Sequence, residues 1–205
     1  ISGEVNLNSD FNFDHFNGNL LLINSLIDSV EISSISGQFV YNNGILSSER
    51  ISVESEGQIG DFNIYSFADI DNFNIDGSIE MRHFSDKSLI SKYKLDSLNG
   101  DLKFSWMKNF DLNNIDLDID LKNGLFYKNN FNGFNGNISG KIVNGDFRGS
   151  SSGKLIGWDY YTYNWDTISY NIDIFKESYS NYKFNAISAM GDEIEISAQQ
   201  EPSGD

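Results

Sequence analysis

The stretch Ile115-Asp116-Leu117-Asp118-Ile119-Asp120-Leu121 decides the fold of this chain. Four aliphatic side chains alternate with three carboxylates. A period of two places every second residue on the same side of an extended backbone, so the run is a strand with one apolar and one acidic face. A calcium loop would need these carboxylates on a curled backbone, with glycine at the sixth position and glutamate at the twelfth. Leu121 and Tyr127 stand there instead. The carboxylates are therefore read as a solvated strand face. The run meets Asn123-Gly124, a dipeptide suited to a tight hairpin, and Leu125, Phe126 and Tyr127 follow.

The same grammar extends in both directions. Ile51 and Val53, Phe62 and Ile64, Phe73 and Ile75, Ile79 and Met81, and Leu102, Phe104 and Trp106 all alternate with polar neighbours. Further on, Ile168, Tyr170, Ile172 and Ile174 do so, and Ile194 and Ile196 close the series. Phe39-Val40-Tyr41 is apolar on both faces. Seven Asn-Gly pairs punctuate the chain, and Gly18, Gly37, Gly57, Gly77 and Gly100 fall at steps of 19, 20, 20 and 23 residues. Such periodicity marks a repeated strand–turn–strand unit stacked on its neighbours. It predicts about 16 strands of 5–8 residues and, at ~4.8 Å per strand, a sheet roughly 80 Å long. Ser85 to Lys94 carries a helical spacing of Leu89, Ile90 and Tyr93 behind a capping serine. Residues 1–198 are read as a single repetitive β domain and 199–205 as a disordered tail.

Composition narrows the function. The chain has 205 residues, a formal net charge of −16 and no cysteine. That charge repels phosphate backbones and excludes nucleic acid as a partner. Without cysteine there is neither a disulfide scaffold nor thiolate chemistry. His15 and His83 have no spaced partners for a metal or a general base. No nucleophile elbow, phosphate loop or dinucleotide fingerprint occurs. The reading is a non-enzyme without cofactor or metal. There is no run of 18 apolar residues. Ile1 opens inside an alternating pattern, so the chain is read as a segment of a longer polypeptide. The aromatic run Trp158 to Trp165 admits a sugar-stacking platform, but Tyr161, Tyr163 and Trp165 share one strand face, which favours packing.

One phrase recurs, an apolar residue, then glycine, then alternating apolar residues: Ile35-Ser36-Gly37-Gln38-Phe39, Ile75-Asp76-Gly77-Ser78-Ile79-Glu80-Met81, Leu98-Asn99-Gly100-Asp101-Leu102-Lys103-Phe104 and Phe134-Asn135-Gly136-Asn137-Ile138. From about Gly3 to Ala198 this grammar resembles the AsmA-like family, and within it the TamB-type repeats. The resemblance implies a long sheet curled into a trough that is apolar inside. It further implies a periplasmic tether, anchored in the inner membrane through the full-length protein, that moves phospholipid toward the outer membrane of a Gram-negative cell. An outer-membrane β-barrel would be its partner there. The richness in asparagine and aspartate and the aromatic Trp158–Trp165 region depart from the family's repeats.

The expected fold is thus all-β: an elongated, curled antiparallel or mixed sheet, forming an open trough or a jelly-roll-like shell. If it closes, its apolar face is a core. If it stays open, a groove remains that shields acyl chains at about 0.8 kcal/mol per buried CH₂. Phe39, Tyr41, Ile75, Ile79, Met81, Leu102, Phe104, Ile115, Leu117, Ile119 and Leu121 are the candidate lining, with phospholipid acyl chains as the ligand. An extracellular adhesin or glycan-binding β-solenoid is the alternative.

Overall fold

The computed structural model describes residues 2–7, 14–27, 30–55, 57–85, 90, 92, 94–143, 146–160, 162–174 and 180–200. Fourteen strands follow one another: β1 (Ser2–Leu7), β2 (His15–Ile27), β3 (Val30–Asn42), β4 (Ile45–Ser55), β5 (Gln58–Asp69), β6 (Asn72–Phe84) and β7 (Leu95–Asn109) make the first half. β8 (Leu112–Phe126), β9 (Asn129–Phe131), β10 (Gly133–Val143), β11 (Asp146–Tyr160), β12 (Tyr163–Ile174), β13 (Ser180–Ser188) and β14 (Glu193–Gln200) make the second. They form one sheet in sequence order, with β9 as a short side arm on β8. Each pairing is antiparallel. β1 and β14 are the two edges, so the sheet does not close.

Among the described residues the strands are fewer and longer than the sequence suggests. Ten of them run for 11–15 residues. The reason is that most interior glycines do not turn the chain. Gly18, Gly100, Gly124 and Gly136 lie inside β2, β7, β8 and β10. Of the Asn-Gly pairs, Asn43-Gly44 does form a hairpin turn, both residues having the positive φ that such a turn demands (48° and 86°). The pair at 144–145 lies outside the described residues, as does most of the segment 85–94 expected to be helical. β14 extends through Gln200, which pairs with Ser180, so the first two residues of the expected tail belong to the sheet.

The interior glycines make room for rings. A Cβ on Gly77 would lie 2.7 Å from the Phe62 ring and 2.8 Å from the Asp61 carbonyl oxygen, and one on Gly136 would lie 2.7 Å from the Phe134 ring. Gly77→Ala is accordingly expected to cost about 1–3 kcal/mol in urea unfolding, because the crowded neighbours include backbone that cannot swing away. Gly133→Ala, whose Cβ would find its nearest neighbour at 3.5 Å, should be close to neutral in the same assay.

The acidic face is held together across the strands. Asn135 and Asn137 donate to Asp120 and Asp118, each at 3.0 Å, and Ser139 donates to Asp116. Arg50 forks onto Asp61 at 2.9 and 2.8 Å, and Asn63 and Tyr65 share Asp76 at 2.7 and 2.6 Å. A one-residue slip would break every one of these pairs and turn the aliphatic residues to water, so they specify register.

Thirteen strands at ~4.8 Å spacing give an arc of roughly 58 Å. Most α- and β-domains cover an apolar sheet face with a second layer. Here the sheet curls over itself instead, and incompletely. The accessible surface is 13676 Å², against roughly 9,700 Å² for a compact folded monomer of this mass. The main buried apolar cluster is small: Met81, Leu98, Leu121 and Phe131, where β6 to β9 converge.

Candidate functional site

Direct cross-strand partners share a face, so the register traces the apolar side residue by residue. One row runs Gln58–Met81–Gly100–Leu121–Phe134–Leu155–Ile168 from β5 to β12. The adjoining row runs Gly60–Ile79–Leu102–Ile119–Gly136–Gly153–Tyr170. Between and above these rows lies an apolar cavity of about 600 Å³. Gln58 and Ile168 both line it, although six pairing steps, roughly 29 Å along a flat sheet, separate their strands. A compact space of this volume is only about 10 Å across, so the sheet bends around it.

Local irregularities build the deep end. Asn99 pairs with Asn123 whereas Gly100 pairs with Leu121, leaving Lys122 as the extra residue of a bulge. An inserted residue flips the alternation. Leu121, Gly124 and Phe126 therefore all reach the apolar side. Tyr127 and Lys128, both at positive φ (51° and 64°), turn the chain into β9, where Phe131 pairs with Gly124. The Phe131 ring lies over Gly124 beside Leu98 and is 1 % exposed. β9 then parts from β10 because Asn132 N–H leaves the β8 ladder and donates to the Ile156 carbonyl at 2.8 Å. Phe84, Leu95 and Phe126 line the cavity at this end, and Phe134, Leu155 and Tyr170 form the far wall.

Nearly all the lining is hydrocarbon. Among the described lining residues only Gln58 and Tyr170 carry polar nitrogen or oxygen side-chain atoms, and the Tyr170 hydroxyl sits 3.3 Å from Ser151 Oγ. At the rim, the Ser85 hydroxyl and the Ser97 N–H donate to Asp96 and hold its carboxyl below the usual carboxylate range. Hydrogen bonds from Arg82 do the same for Glu80. Among the described lining residues there is no histidine, lysine, arginine or carboxylate. Such a space can hold an apolar molecule and shield it from water, and its volume falls within the roughly 300–1,000 Å³ of small-molecule sites.

Of the residues proposed from the sequence, Ile79, Met81, Leu102, Ile119 and Leu121 line the cavity. Ile75, Phe104, Ile115 and Leu117 share their face through the register but lie toward the other end of the strands. There Phe104 meets Phe62 at 5.8 Å and Trp106 meets Phe73 edge-on at 5.1 Å. Phe39 and Tyr41 pack on Phe16, at 6.0 and 4.8 Å between ring centroids, away from the cavity on β3. Leu98, Phe126 and Phe131 were not foreseen. Their signal, a phase shift in the alternation at Lys122, is invisible to a strict period of two.

The run Trp158–Trp165 is not one strand. β11 ends at Tyr160 and β12 begins at Tyr163, and the two pair antiparallel, Trp158 with Trp165 and Tyr160 with Tyr163; Tyr161 lies outside the described residues. Trp158 packs against the cavity cluster, lies 5.1 Å from the Phe126 ring and donates its indole N–H to the Phe126 carbonyl at 3.1 Å. Tyr163 remains 65 % exposed.

The chain matches no family model, no curated protein and no solved structure.

Proposed function

We propose that this chain is a lipid-binding trough whose open apolar face shields acyl chains from water. The observation that carries this reading is the 600 Å³ hydrocarbon-lined space left between the walls of an unclosed sheet. In a closed sandwich, side chains of a second layer would fill that volume at crystal-like density. Here the face stays half-exposed, which favours an exchangeable guest. A guest methylene gains about 0.8 kcal/mol on entering, so a chain of ten or more carbons gains enough to overcome the cost of immobilisation.

Placement in a cell envelope, between an inner and an outer membrane and beside an outer-membrane β-barrel, rests on the likeness of the glycine phrases to AsmA-like repeats. It is the finer part of the proposal. The coarser part is tested by extracting protein purified without detergent and analysing the extract by mass spectrometry, then offering the stripped protein phospholipid vesicles. Acyl-chain lipid at up to about one molecule per chain, retaken after stripping, is the expected result. A protein that carries none and takes up none would overturn the reading.

A further inference from the structure

Two hydroxyls meet on the apolar face beside the cavity. Ser151 stands between Ile138 on β10 and Ile172 on β12, a place in the register that alternation gives to an apolar residue. Tyr170 pairs with Gly153, two residues along β11 on the same side. Because Gly153 has no side chain, the Tyr170 ring lies down over it. A Cβ there would stand 2.6 Å from Tyr170 Cε1 and 3.0 Å from its hydroxyl. This posture brings the hydroxyl over β11, 3.3 Å from Ser151 Oγ, while Tyr170 lines the cavity.

The pair has hydrogen-bonding capacity to spare. Two hydroxyls carry two protons, and their mutual contact uses one, whichever oxygen donates. Among the described residues neither hydroxyl makes another side-chain hydrogen bond. One O–H donor is therefore left at a wall that is otherwise hydrocarbon. A charged head drawn against that wall would shed its hydration with no counter-ion in the lining, at a large cost in desolvation. An uncharged ester oxygen loses far less and accepts the spare proton. The volume sets the tail: at about 30 Å³ per water-sized group, 600 Å³ holds one acyl chain with its ester and not two.

Building on the trough reading, we infer that the guest is an esterified acyl chain, its hydrocarbon in the cavity and its ester oxygen accepting a hydrogen bond from the Tyr170–Ser151 hydroxyl pair. The lining selects the chain. The hydroxyl pair selects an ester over a bare hydrocarbon, and the lack of charge in the lining selects it over a free carboxylate.

The test uses dodecane, methyl dodecanoate, ionised dodecanoate, monododecanoylglycerol and dodecanoyl-lysophosphatidylcholine as displacers of the neutral dye Nile red from the whole chain. The double substitution Tyr170→Phe with Ser151→Ala removes both hydroxyls and keeps the ring over Gly153. It is expected to weaken methyl dodecanoate about three- to tenfold, the effect of one lost hydrogen bond, and to leave dodecane unchanged. In the unsubstituted chain, ionised dodecanoate should bind more weakly than the methyl ester. Equal losses for ester and dodecane, or no loss for the ester, would overturn the ester assignment while the trough reading stands. So would a loss of ester affinity in Gln58→Leu alone, since Gln58 is the other polar side chain of the lining. Failure of the dye and of every ligand to bind would overturn both. Of the two larger esters, equal affinities identify a phospholipid as a source of the ester, and preference for the glycerol ester identifies a neutral glyceride.

Discussion

Phe131→Ala is expected to lower folding stability by about 3–5 kcal/mol, the usual loss when a fully buried aromatic ring is truncated and its site cannot collapse. The ring is the most completely buried large side chain among the described residues. It seals the junction at which β8, β9 and β11 meet, and its neighbour Gly124 has no side chain to move into the space. In a domain stabilised by about 5–15 kcal/mol this loss is a large fraction. Urea titration followed by tryptophan emission reads it directly. Trp158 reports from the same cluster, so its emission should red-shift in the native baseline as water enters. A variant with unchanged midpoint and emission would show that the cluster does not anchor the curl.

Ile119→Arg is expected to weaken acyl-chain binding by at least about 30-fold, since a guest chain would have to bury an unpaired guanidinium or leave the cavity around it. The fold should survive. Ile119 is only half-buried, and a long cationic side chain can lay its stem on the apolar floor and carry its head to water. Leu117→Arg is the internal control. It makes the same chemical change on the same strand face, two residues further along β8 and outside the cavity lining, and it should leave binding within about threefold. Nile red displacement by hexadecanoate measures both variants, and circular dichroism checks that each retains its sheet. Equal loss in the two would mean that the whole face, rather than the cavity, holds the ligand.

The two substitutions also show what the sequence can and cannot tell. Alternation from Ile115 to Leu121 assigns each residue of that run to its correct face, because period two is a property of the extended backbone itself. Alternation alone makes Ile115, Leu117, Ile119 and Leu121 equal candidates for the lining. The structure places the cavity at the Leu121 end of the run, because the bulge at Lys122 reverses the alternation and brings Phe126 to the same side. Nothing local distinguishes a bulge from a turn at Asn123-Gly124, since glycine serves both. The Tyr127-Lys128 turn escapes notice for the opposite reason: it uses residues that seldom occupy left-handed positions. The glycine spacing announced repetition correctly, but Gly18, Gly37, Gly77 and Gly100 lie inside long strands and only Gly57 stands at a turn between two of them; Gly77 makes room for the Phe62 and Phe104 rings.

The central claim is that the apolar face holds a space that an acyl chain can enter. Its most direct test uses Trp158, which packs against the cavity cluster. In a Trp106→Phe and Trp165→Phe background Trp158 is the only indole of the chain. Titration with a stearate brominated at mid-chain should quench its emission saturably, with unlabelled stearate restoring it. A native-like emission that brominated stearate leaves untouched at any concentration below micelle formation would contradict the account.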